Sequence, residues 1–296
     1  MTLVLPSNYH AINALERSSV RWIPVEKAER QDIRPLRIGI LNIMPIGEKY
    51  EFNIIHPLGL SVLQIEPIWI KLKSHKYKTW APGHLDELYK TYEEIVKDVP
   101  LDGLIVTGAP VEHLKFEEVE YWEEFLDIVN DSRKNTPSTL GICWGGFALG
   151  YMSGIKKVNF EKKLFGLYEL TNLDPGHEIM NALDDKFLCP QSRFAGMNDE
   201  ELNEASKSKD INILASGKQS GHTIFETSDH KLLMHIGHPE YAASRFAEEA
   251  ARDLDNPNVP NVENFDYNNP INKWRMHRNI FFQQWINFCY KRISSI

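Results

Sequence analysis

Short apolar runs alternate along this chain with stretches in which apolar residues recur near the helical period, so strands and helices are predicted in turn. Leu36-Arg37-Ile38-Gly39-Ile40-Leu41-Asn42-Ile43 reads as the first clear strand, ended by Met44-Pro45. A helix is predicted within 48–58, stopped by Pro57 and Gly59. Leu60 to Ile70 forms a second strand region, in which Pro67 predicts a bend or an end, and 71–83 a polar loop. Leu85, Leu88, Tyr92, Ile95 and Val96 predict one helix over 84–97. Leu101 to Pro110 is a strand delivering a glycine-containing loop, and Trp122, Phe125, Leu126 and Val129 mark a helix over 117–134. Thr139 to Ile142 is a buried strand that stops at Cys143, after which Gly145, Gly146 and Ala148 open a helix.

Strands alternating with helices predict a doubly wound, mostly parallel α/β sheet with flanking helices. From 155 to 235 the pattern changes to shorter strands (163–170, 211–216, 223–227 and 231–236), an antiparallel extension of the sheet. A helix over 242–254, an Asn- and Pro-rich loop over 255–272 and a last helix over 274–292 complete the chain. The aromatic residues of that last helix (Trp274, Phe281, Phe282, Trp285, Phe288, Tyr290) predict core packing. Residues 1–35 read as an N-terminal arm with a short helix near His10 to Arg17, and 36–296 as a single domain.

Length and composition refine this picture. The 296 residues are 42% hydrophobic and 25% charged, ordinary for a globular chain with a sizeable core. Lys plus Arg number 33 against 41 Asp plus Glu, and the formal charge of −8 argues against nucleic acid as the main partner. No run approaches the roughly 18 apolar residues of a membrane span, so no membrane partner is expected. Cys143, Cys189 and Cys289 make no CxxC pair; no metal is expected, and the cytoplasm is the expected compartment.

The chemistry is concentrated at Cys143. A strand, a sharp turn and a helix put one nucleophile at the bend, on a helix N-terminus whose dipole favours thiolate. Backbone N–H groups after it suit an oxyanion hole. Taken alone, the stretch also fits a buried, inert cysteine. A thiol nucleophile needs a base, and the base an orienting group. Leu232 to Ile236 runs into Gly237-His238-Pro239-Glu240-Tyr241, where an extended chain would turn His238 and Glu240 to one side. The tripeptide by itself also fits a strand-end histidine beside a solvated carboxylate. Paired with the elbow cysteine, the catalytic reading is favoured, with His235 structural.

An elbow cysteine followed by His-Pro-Glu on an α/β sheet resembles the class I glutamine amidotransferases. In detail the chain resembles the homoserine O-succinyltransferase and O-acetyltransferase family of methionine biosynthesis. The resemblance runs through Asp32 to Leu36, Leu41 to Pro45, Asp102 to Pro110, Tyr121-Trp122, Ile142 to Gly145, Lys163 to Gly166, Ser192-Arg193, Gly237 to Tyr241 and Arg252-Asp253, and ends in Trp274-Arg275 and His277. It implies that Cys143 takes an acyl group from acyl-CoA as a thioester, with His238 as general base and Glu240 orienting it. It further implies substrate binding by Lys163, Ser192 and Arg252, and a homodimer.

Glu112 matches the position at which the family sorts acyl donors, glycine going with succinyl and glutamate with acetyl. A carboxylate there would repel succinate's own by roughly 1–4 kcal/mol at about 4 Å. Acetyl-CoA is therefore the expected co-substrate, with no cofactor, and the hydroxyl of L-homoserine the expected acceptor. The family's Met-Pro-x-Lys segment reads Met44-Pro45-Ile46-Gly47 here, with Lys49 two residues on. That departure keeps L-serine or another hydroxy amino acid as an alternative acceptor, and succinyl-CoA is the alternative donor. A glutaminase-type amidotransferase and a non-catalytic binding protein are the other classes to separate.

Overall fold

The computed structural model of the chain describes residues 2–81, 83–97 and 99–293. The first 35 residues contribute β1 (Leu3–Leu5), α1 (Ile12–Arg17), β2 (Trp22–Pro24) and α2 (Val25–Ala28). A wound unit follows: β3 (Leu36–Leu41), α3 (Gly47–Gly59), β4 (Ile65–Lys71), α4 (His84–Leu88), β5 (Lys90–Thr91), α5 (Tyr92–Val96) and β6 (Gly103–Val106). It continues through α6 (Trp122–Asn135), β7 (Thr139–Ile142) and α7 (Trp144–Met152). Then come β8 (Lys157–Asn172), β9 (Lys186–Met197), α8 (Asp199–Lys207), β10 (Ile211–Gly217) and β11 (Gly221–Thr227). β12 (Leu232–His235), α9 (Ala243–Asp253) and α10 (Arg275–Arg292) complete the chain.

Among the described residues one twelve-stranded sheet runs β2-β1-β4-β3-β6-β7-β12-β11-β10-β8-β9, with β5 on β4. β12 returns parallel to β7, whereas β8 to β11 pair antiparallel, so the expected doubly wound sheet with an antiparallel extension is the fold observed. β6, β7 and β12 are buried along their whole length, which explains why they read as continuous apolar runs. The stretch read as an N-terminal arm adds two parallel strands, with Leu3 paired to Ile65 of β4.

Several elements differ from the sequence pattern. The single helix over 84–97 is broken into α4, β5 and α5. Buried Tyr89 is extended and its hydroxyl donates to Glu51 at 2.8 Å, and Thr91 with Glu94 caps a fresh helix. Pro67 neither bends nor ends β4: it pairs with Ile38, and β1 reaches β4 only at Ile65, leaving an open edge where a missing N–H is tolerated. β9 and α8 were absent from the pattern altogether. Most of the aromatic face of α10 is core, burying Phe281, Phe282, Trp285 and Phe288 at about 1.5–3 kcal/mol each, whereas Tyr290, expected in the core, is exposed.

The Met44 to Glu51 segment departs from its resemblance for a steric reason. A Cβ at Gly47 would stand 2.1 Å from the Trp80 ring, whose indole N–H donates to the Met44 carbonyl at 3.2 Å. Any side chain at position 47 would therefore force the Trp80 indole to move. Fully buried Glu51 ties the segment to the turn before α1 and to the start of α4, accepting from Tyr9 at 2.6 Å and pairing with His84 at 2.6 Å.

Candidate active site

β7 delivers Cys143 at the carboxyl end of the parallel strands, where ligands bind in sheets of this kind. Its backbone is strained, with φ 51° and ψ −114°. The strain is held on both sides: the Cys143 N–H donates to the His235 carbonyl at 3.0 Å, and Phe147 N–H to the Cys143 carbonyl at 3.0 Å. The elbow also needs bare backbone. A Cβ on Gly145 would lie 2.5 Å from the Val106 carbonyl oxygen, and one on Gly141 would lie 2.6 Å from the Gly145 carbonyl. α7 starts at the next residue, so its first N–H groups have no partner within the helix.

His238 meets that thiol. β12 lies beside β7, and the segment after it forms a turn rather than the extended chain read from sequence, with Tyr241 N–H donating to the His238 carbonyl at 3.4 Å. The imidazole faces the cavity together with the Cys143 thiol, and Nδ1–H donates to Glu240 Oε1 at 2.8 Å. Burial opposes charge on His238, but Cys143 and Glu240 outweigh it and hold its pKa well above the ordinary histidine range. Its ring stacks on Tyr241 at 4.2 Å, and Trp274 donates to the Tyr241 carbonyl at 2.8 Å, so the approach to α10 braces the base. His235 is structural, as expected. Its Nδ1 accepts from Gly237 N–H at 3.3 Å and its Nε2 faces His277 at 3.3 Å.

Cys143 and His238 open into a cavity of about 570 Å³ that is also lined by Glu112, Lys163, Ser192 and Arg252, so the structure brings all of the singled-out side chains bar Glu240 to one cavity. Glu240 lies behind the ring, fully buried. Glu249 organises the far side: its Oε1 accepts from Lys163 Nζ at 2.9 Å and from the Ser192 hydroxyl at 2.5 Å, with Arg252 at 3.4 Å. Lys163 also pairs with Asp253 at 2.8 Å, and half-exposed Arg252 forks onto the same Asp253. Burial disfavours the Glu249 charge, yet Lys163, His238 and the Ser192 hydroxyl bring its pKa down to about 2. Burial raises the Glu112 pKa against the pull of the Phe194 backbone, Lys163 and His238.

Two residues of this site had escaped sequence reasoning. Glu249 sits three residues before Arg252, a spacing that places both on one face of α9, and this was the available signal. Tyr50 donates to Glu240 Oε1 at 2.9 Å, a contact across 190 positions that no local pattern reveals. Gly47 and exposed Lys49 are not among the residues that line the cavity.

The arrangement supplies a nucleophile, a charged-pair base and a wall of paired carboxylates and cations. The fold is that of class I glutamine amidotransferases: a glutamine amidotransferase from Thermotoga maritima superposes with a TM-score of 0.57 at 12% identity, covering 88% of this chain and 98% of its own. Within that fold, the family described as homoserine O-succinyltransferase matches residues 2–295, and the chain belongs to this family of acyltransferases. Relatives named homoserine O-acetyltransferase include those of Bacillus subtilis, 36% identical over 97% of this chain and 96% of that protein, and Streptococcus thermophilus, 37% identical over 97% and 93%. Among the described residues no helix is long and apolar enough to cross a membrane.

Proposed function

We propose that the protein transfers acetyl from acetyl-CoA to the side-chain hydroxyl of L-homoserine through a thioester on Cys143. The observation that carries this is the Cys143–His238–Glu240 relay opening into the cavity that holds Lys163, Ser192, Glu249 and Arg252. His238 takes the thiol proton, and the sulfur attacks the acetyl carbonyl; the first N–H groups of α7 stabilise the oxyanion. CoA leaves as its thiolate and takes the proton from His238. The second half reverses the order. His238 deprotonates the acceptor hydroxyl, the oxygen attacks the thioester, and Cys143 leaves as thiolate and recovers the proton. An amino acid is a zwitterion, and the far wall suits one: Arg252 for the carboxylate, Glu249 for the ammonium. Glu249 Oε2 is buried without a hydrogen bond, with Arg245 at 3.9 Å, which leaves it able to accept from an ammonium. The three free cysteines fit the cytoplasm, where we place the activity.

Intact-mass measurement after incubation with acetyl-CoA tests the reading. A single acetyl adduct on Cys143, discharged by homoserine and not by serine or glutamine, is expected. No adduct with either acetyl-CoA or succinyl-CoA would refute it.

Glu112 supports acetyl as the group carried. A carboxylate on the wall beside the nucleophile leaves an uncharged acetyl untouched and opposes succinyl by roughly 1–4 kcal/mol. Glu112→Gly is expected to raise succinyl-CoA use relative to acetyl-CoA by about tenfold or more, read from competing adduct masses. Because burial raises the Glu112 pKa, discrimination in the native protein should weaken as pH falls and the carboxyl takes up its proton. An unchanged donor ratio in the glycine variant would remove this argument.

A further inference from the structure

We infer that Tyr50, from α3, is a positioning residue for the proposed acyl transfer: its hydroxyl, with His238, holds Glu240 in the orientation that steers the imidazole. The inference rests on the Cys143–His238–Glu240 reading. Glu240 is fully buried, and among the described residues its hydrogen-bond donors are His238 Nδ1–H at 2.8 Å and the Tyr50 hydroxyl at 2.9 Å, which converge on Oε1. Oε2 has no hydrogen-bond partner. A desolvated carboxylate with so few donors depends strongly on each, since a buried charge that loses a hydrogen bond has no water to replace it.

The direction of the effect follows. With Tyr50 in place, part of the charge on Oε1 is taken up by the phenol. Without it, the carboxylate is more basic and pulls harder on the Nδ1 proton, so the imidazolium becomes harder to deprotonate. Burial and then the Glu240 charge push the Tyr50 pKa well up, which keeps its hydroxyl protonated as a donor across the working pH range. The other charged or titratable neighbours of Glu240 are Tyr241 in its own turn, Cys189 on β9 and Arg278 on α10. His238 further feels Cys143 at the elbow, Glu112 after β6, Glu249 on α9 and His235 on β12. Replacing Tyr50 by phenylalanine alters none of these groups.

Trp80, packed over Gly47, fixes the start of the helix that carries the phenol.

The test is an NMR titration of the His238 ring in the Cys143→Ser protein, with and without Tyr50→Phe. It needs no substrate. Loss of the phenol should move the His238 titration up by about half to one pH unit. The acid limb of acetyl-enzyme discharge should move with it, because the acylated sulfur no longer titrates. In a Glu240→Gln background Tyr50→Phe should add no shift. An unmoved titration, or the same shift in the Glu240→Gln background, would overturn the inference. If Tyr50→Phe does not fold, difluorotyrosine at position 50, a stronger donor of nearly equal size, should move the titration down; no movement overturns the inference equally. Failure of the wild-type chain to form an acetyl adduct would instead refute the proposed reaction, whatever the titration shows.

Discussion

Cys143→Ala is expected to form no acetyl adduct with acetyl-CoA and to retain about 10⁻⁴ of native turnover or less, the scale of loss when a covalent nucleophile is removed. The residue left behind has no lone pair to attack the carbonyl, and His238 has no proton to take from it. The fold should survive. The thiol is buried but small, the neighbouring hydrogen bonds at Cys143 are made by its backbone, and alanine keeps the Cβ that the turn already accommodates at φ 51°. Melting temperature and intact mass therefore separate a missing nucleophile from a damaged protein. Native-like transfer by a folded Cys143→Ala protein would refute the thioester route. The size of the effect reflects the absence of a substitute, since Cys189 and Cys289 are fully buried and burial drives both thiols far from ionisation.

The elbow was legible from sequence because its requirements are local. An apolar run, a cysteine and glycines where Val106 and Gly141 press close leave few other ways to fold. The order of strands and helices in the first half was legible for the same reason, since burial on both faces makes each parallel strand a continuous apolar run. β9 was hidden because it carries polar residues in the core. Gln191, Ser192 and Arg193 are buried and satisfied partly at long range: Ser192 bonds Glu249, and Arg193 bonds the Ser220 carbonyl as well as its neighbours Gln191 and the Ala195 carbonyl. No periodicity marks a strand whose inward residues serve a site. The break after Leu88 was hidden because Tyr89 leaves the helix for Glu51 on α3, a tertiary bond that outweighs helical propensity. Glu249 looked like one more solvated carboxylate of an Ala- and Glu-rich helix, and only Lys163 and Ser192 from the antiparallel strands distinguish it. Gly47 carried its meaning in Trp80, which sequence spacing does not reveal.

Glu249→Gln should damage stability and acceptor use together while sparing the first half-reaction. The carboxylate's pKa, near 2, lies about two units or more below an ordinary glutamate's. A carboxylate depressed on folding contributes stability above its unfolded pKa and loses it as pH falls through the folded value. The contribution is on the order of 3 kcal/mol, in line with removing one partner from a buried ion pair. The variant should therefore melt well below the native protein at pH 7, and the gap should narrow as pH falls below about 4 and nearly close towards pH 2. Lys163 would keep Asp253 at 2.8 Å, so the cavity wall should persist and the loss should be one of charge. For function, a neutral amide presents no anion to the acceptor's ammonium. Acetylation of Cys143 by acetyl-CoA should proceed near the native rate, whereas discharge by homoserine at subsaturating concentration should slow by about a hundredfold. Single-turnover measurement of the two halves separates these effects. Equal slowing of both would assign Glu249 to the architecture of the site, and unchanged discharge would remove it from acceptor binding.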